Sequence, residues 1–222
     1  MGPPTAAPHP LSGEDGTPPP EAVRLPEPGR AALVLLGLDQ DPAAVLPDPA
    51  AAELLAAVGP LRERAAARGL LVVHGVRHGP KAPEAGSHTA LALTLRVGEH
   101  LVDHLHPNAF LGSRLGRVLR AAGRDQVVLC GLPAEHIVLL TAADAVMHGL
   151  TVFIASDAVA DLTPERQAGA LKWAARHGVA VLPAAELLPG PVESGHPGDG
   201  PPPANAPVAG GPYPADGAGP AV

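Results

Sequence analysis

Gln126-Val127-Val128-Leu129-Cys130, running into Gly131-Leu132-Pro133-Ala134-Glu135-His136, is the stretch on which the fold turns. Its apolar part shows no alternation with polar positions, so it reads as a strand buried on both faces, the kind found inside a parallel sheet. Gly131 and Pro133 then break the extended chain. Residues 135–148 carry a helical pattern that stops at Gly149. A buried strand that turns into a helix is the first half of a strand-helix-strand crossover.

The same alternation continues on both sides. Residues 32–36, 70–74, 150–155 and 179–182 read as further strands, with a weaker one at 100–103. A helix opens near Asp48-Pro49 and places Leu54, Leu55, Val58 and Leu61 on one side before Gly69; Gly59-Pro60 is expected to kink or divide it. Ser113 caps a helix carrying Leu115, Val118, Leu119 and Ala122, closed by Gly123. Thr163-Pro164-Glu165 starts a fourth that ends at His177-Gly178, and a short last helix covers 184–188. In the segment 79–97, Leu91, Leu93 and Leu95 alternate like a strand, but helix or loop fits equally.

Composition sets the limits. The chain has 222 residues, and its 29 Pro and 26 Gly gather toward the two ends. Residues 1–29 and 190–222 carry too few aliphatic side chains to offset the entropy of ordering them, so both are expected to be disordered tails around one domain at 30–189. Hydrophobic residues make up 46% and aromatic residues only 2%, which leaves Ala, Val and Leu to build the core. A net charge of -7 with no Lys/Arg cluster excludes a nucleic-acid partner. Arg62, Arg64 and Arg68 sit at helical spacing and read as a solvated helix face. The single cysteine, Cys130, excludes an intrachain disulfide and suits a reducing compartment. No signal peptide is legible and no apolar run approaches the ~20 residues that span a bilayer, so a cytoplasmic protein without a membrane partner is expected.

Five segments, in order, resemble the isochorismatase-like cysteine hydrolase superfamily. They are Ala32-Leu33-Val34-Leu35-Leu36; Asn108-Ala109-Phe110-Leu111-Gly112-Ser113; Val127-Val128-Leu129-Cys130-Gly131; Thr141-Ala142-Ala143-Asp144-Ala145; and Ser156-Asp157-Ala158-Val159-Ala160-Asp161. The resemblance implies an α/β fold of three αβα layers: a doubly wound, mostly parallel sheet of about six strands, with the site at the strand carboxyl ends. It also implies an Asp, a Lys and a Cys there. In the amide hydrolases the Cys attacks a carbonyl carbon, the Asp is its base and the Lys stabilises charge.

Those positions fall on Gly37, His104 and Ile137. Glycine has no carboxylate and isoleucine no nucleophile, and loss of a nucleophile alone commonly costs about 10⁶ in kcat. Isochorismatase-type members, which need no Cys, still use the Asp as general acid. The expectation is therefore a pseudoenzyme that binds a small ligand or serves as a partner subunit. The alternative is a hydrolase with altered catalytic residues, acting on a small amide or enol ether through His104 or Asp39. Asp39 shares a strand face with Gly37 but lies roughly 6–7 Å further along. His104, Phe110 and His136 are the candidate ligand contacts.

No cofactor or metal is expected. The region matching the zinc-binding branch reads Val76-Arg77-His78-Gly79 with His74 and His88 nearby, and it lacks the branch's Asp. Cys130 reads as a buried, inert thiol. The backbone N–H groups at the start of the helix after Gly131 are a place where a ligand oxygen fits, with Glu135 opposing an acidic one. The partners expected are a small-molecule ligand and further copies of the chain in a homo-oligomer, and the Pro-rich ends read as solvated tails.

Overall fold

A computed structural model describes residues 25–39, 41–77 and 93–190. Most of the expected tails, with His78, His88 and most of the undecided segment, lie outside the described residues. Six parallel strands form one sheet: β1 (Ala31–Leu36), β2 (Leu71–Arg77), β3 (His100–His104), β4 (Gln126–Gly131), β5 (Thr151–Val159) and β6 (Ala180–Leu182). Their order across the sheet is β3-β2-β1-β4-β5-β6. The winding reverses between β1 and β4, which makes the fold doubly wound and puts its topological switch point at the carboxyl ends of those two strands.

β1 shows why. All six of its residues are buried, so the strand needs apolar cover on both faces. Leu33 and Leu35 face a layer made by α1 (Ala50–Ala67) and α5 (Ala184–Leu187), together with Leu54, Val58 and Leu61. Ala32, Val34 and Leu36 face the opposite layer of α2 (Leu115–Ala121), α3 (Leu139–Met147) and α4 (Pro164–Arg176). The core is built of Ala, Val and Leu, as the composition demands, with Phe153 its large buried aromatic.

The helix boundaries follow local chemistry. Thr163 Oγ1 accepts the Arg166 N–H at the start of α4, and Ser113 Oγ accepts the Leu115 N–H at the start of α2. Three expectations need correction. Gly59-Pro60 does not divide α1, which runs continuously through both residues. The hydrogen bond that Pro60 cannot make would go to the carbonyl of Ala56, an exposed residue that water can serve. Second, the chain after β4 does not enter an α-helix directly. It forms a π-helical turn (Ala134–Val138) before α3, because Pro133 O accepts the N–H groups of His136, Ile137 and Val138 together. Third, Arg62 is not solvated: it is 3% exposed, on the same side of α1 as Leu54 and Val58.

Leu33→Ala tests the central strand. With Leu33 fully buried between β1 and α1, the truncation is expected to lower stability by about 2–5 kcal/mol. The fall would appear as a lower urea midpoint at unchanged slope.

Candidate functional site

Gly37 and Ile137 meet at the carboxyl end of β1, and there the backbone closes on itself. Leu132 N–H donates to Leu36 O at 3.0 Å. Gly37 has φ +66, and a Cβ on it would lie 1.8 Å from Leu132 O and 3.7 Å from Ile137 Cδ1. Gly131 repeats the arrangement from the other side: with φ +119, its Cβ would lie 1.8 Å from Leu36 O. At each glycine the space that a Cβ would take is filled by a backbone carbonyl from the opposite side. No side chain fits at position 37 without moving backbone, and the positive φ adds strain of its own.

Ile137 is buried among Leu36, Ala134 and Val138 on the α3 side of the sheet. His104 is also buried, on β3, and its ring lies beside the same strand end through Gly75. A Cβ on Gly75 would be 3.5 Å from His104 Nε2 and 2.9 Å from Leu36 Cδ2. His104 Nδ1 bonds His106 O at 2.7 Å. A carbonyl only accepts, so this nitrogen carries a proton. Asp39, just past the turn, is 5% exposed.

The helix start after Gly131 is satisfied from within. Asp161, at the end of β5, accepts the Glu135 N–H at 2.8 Å through Oδ2 and the Leu162 N–H at 2.7 Å through Oδ1. Ala134 N–H goes to Ala160 O at 2.8 Å, and the next three after Glu135 go to Pro133 O. Arg166 Nε ties the assembly by reaching Glu135 Oε2 at 2.6 Å and Asp161 Oδ1 at 3.3 Å. An internal carboxylate stands where an anion would bind.

His136 is exposed on the π-helical turn. Phe110 is not beside Gly37; it packs near α2 and its ring lies 5.3 Å from that of His148. Two cavities stand out among the described residues. One, of about 550 Å³, is bordered by Glu53 and Ala57 of α1, Asp157 and Ala160 at the end of β5, and Gln167 of α4. The other, of about 100 Å³, lies between α2 and the end of α3. Neither is lined by Gly37, His104 or Ile137. Cys130 is fully buried with Sγ 3.8 Å from Val34 O, and burial pushes its thiol far above the ordinary range, so no thiolate forms there.

His74 is spoken for as well. Its Nε2 lies 2.9 Å from Glu99 Oε2, and Arg62 clasps the same carboxylate through Nε to Oε1 at 2.7 Å and Nη2 to Oε2 at 2.5 Å. Arg62 also donates to Thr94 O at 2.6 Å, and Arg96 N–H donates to Glu99 Oε2 at 2.9 Å. The result is a buried ionic cluster joining α1, β2 and the chain entering β3. Among the described residues no group of His, Cys, Asp and Glu has the arrangement to hold a metal ion.

A six-stranded doubly wound sheet covered by helices on both faces defines the class: a three-layer α/β protein. Residues 31–186 match the Isochorismatase domain, and the chain belongs to that family. It is 28% identical over 179 residues to a Pseudomonas chlororaphis protein named "Probable isochorismatase", covering 73% of this chain and 86% of that one. It is 33% identical over 110 residues to the phenazine biosynthesis protein PhzD of Pseudomonas fluorescens, covering 50% of this chain and 53% of the relative, so that match spans about half of each. In fold it is similar to the pyrazinamidase of Pyrococcus horikoshii, at TM-score 0.63 and 23% identity over 71% of this chain and 99% of the other.

The Glu99 cluster generates a pH prediction. Burial alone would raise the Glu99 carboxyl, but hydrogen bonds from His74, Arg62 and the Arg96 N–H outweigh it and hold it at about 2, below the ordinary 4.5. A carboxyl depressed by folding contributes stability above its ordinary value and loses it as pH falls toward the folded one. Wild type is therefore expected to lose stability between about pH 4.5 and 2. Glu99→Gln, which strands the Arg62 charge, is expected to cost about 3–5 kcal/mol at neutral pH and to flatten that dependence. Urea unfolding of both proteins across this range checks it.

Proposed function

We propose that this chain is an isochorismatase-family protein that has lost hydrolase activity and acts as a small-ligand-binding protein or as a partner subunit. The observation that carries the reading is the closure at Gly37, where Leu132 O fills the volume that any side chain would need. Ile137 in place of a nucleophile and Asp161 capping the helix start support it. A homo-oligomer is part of the proposal. The exposed apolar side chains Leu140, Val146 and Met147 on α3, the last 78% exposed, support an interface there. Cys130, a reduced thiol in the core, suits the cytoplasm.

One observation favours a second reading. Asp39 is a buried carboxylate just beyond Gly37, and buried carboxylates near a switch point are the material of altered hydrolase sites acting on small amides or enol ethers.

The two readings separate by assay. Purified protein incubated with isochorismate, nicotinamide and N-carbamoyl amino acids is expected to show no turnover above the buffer control. Turnover that His104→Ala or Asp39→Ala abolishes would establish the hydrolase and overturn the pseudoenzyme. Gly37→Asp, which returns the family's residue, is expected to restore no activity and to destabilise the fold by at least about 1–2 kcal/mol from the positive φ alone. Thermal melting of the variant reads that loss.

A further inference from the structure

We propose that the smaller cavity, between α2 and the C-terminal end of α3, is a binding site for a small aromatic carboxylate. Its construction is independent of the strand-end crevice, so the proposal stands whether or not that crevice catalyses.

The cavity has an apolar half and a basic half. Phe110, Leu119 and Leu150 form the apolar walls. The Phe110 and His148 rings, 5.3 Å apart and tilted by 43°, make an aromatic corner against which a flat ring packs edge or face. Gly116 opens the floor. A Cβ on it would sit 3.4 Å from Arg120 Nη1 and 3.7 Å from Phe110 Cδ1, so the guanidinium and the ring converge on the space its missing side chain leaves.

Arg120 and Arg124 supply the basic half. Arg124 is held rigidly, with Nη1 donating to Pro28 O at 2.7 Å and Nη2 to Gly69 O at 3.4 Å. Its Nε is buried and has no hydrogen-bond acceptor among the described residues. The acid on the facing helix, Asp144, is already held by Asn108 Nδ2 at 2.8 Å and His148 Nε2 at 3.5 Å. In a chain of net charge -7 this is a locally basic pocket with a greasy wall. Guanidinium groups pair with carboxylates in plane, and a volume of about 100 Å³ limits the apolar body to a single ring.

Isothermal titration of the full chain with benzoate tests the proposal, with benzyl alcohol as the uncharged ring and inorganic phosphate as the ringless anion. Saturable one-site binding of benzoate is expected, at least roughly tenfold tighter than either control. Arg120→Gln should weaken it roughly tenfold. Gly116→Val, which fills the floor, should abolish it, and Arg117→Gln, on the same helix but outside the cavity, should leave it within about twofold. Circular dichroism confirms that each variant is folded, and Arg120→Gln, an exposed position, carries the test if Gly116→Val is not. Absence of saturable benzoate binding, equal affinity for benzyl alcohol or phosphate, or an equal loss in Arg117→Gln would each overturn the assignment.

Discussion

The structure depends on β1 having no face toward water. A central strand covered on both sides cannot carry a polar side chain along its length, so any chemistry it offers must begin where it ends. In this chain that end is occupied by backbone. Leu36 O receives the Leu132 N–H, and Gly37 and Gly131 let the turns after β1 and β4 approach to a separation that no Cβ tolerates. The switch point of a doubly wound sheet is ordinarily a crevice because the turns diverge there. These turns are held against each other, and the ionic and polar contacts around them, from Asp161 to Arg166, brace the closure from the far side.

Two of the family motifs legible in the sequence make contacts that hold the fold together. Asn108 donates to Asp144, and the Ala109 N–H reaches Thr141 Oγ1 at 3.0 Å in a buried position. Ser113 donates its hydroxyl to Ala109 O and caps α2. These residues, from two of the five recognised segments, form a clasp between the loop after β3 and helix α3. These contacts are part of what makes the fold recognisable from the sequence. Clasp residues make contacts inside the chain, so their pattern survives independently of what the crevice does.

Strands were legible because burial on both faces leaves long apolar runs: β1 and β4 differ from their expected limits by a single residue. β5 runs four residues past its expected end because a bulge between Leu129 and Gly131 lets Gly131 pair with Val159. Arg62 was misread because charge outweighed position. Leu54, Val58 and Arg62 follow one another at four-residue intervals, which puts the guanidinium on the core-facing stripe. Its partner Glu99 lies 37 residues away, and a pairing across that distance leaves no local mark. The same holds for Asp161, whose acceptor role depends on β5 ending beside the turn after β4. Phe110 reads in the sequence as a ligand contact of the strand-end crevice; its neighbours Arg120, Arg124 and His148 converge only once α2 and α3 pack.

The reciprocal fit of Gly37 and Gly131 makes the two positions a single steric unit. A side chain at either one meets the carbonyl that the other's turn presents, so a lone substitution finds no free volume, and the compensating shift has to come from the opposite loop. Substitutions at the two positions are therefore energetically coupled, and opening the turns takes paired changes.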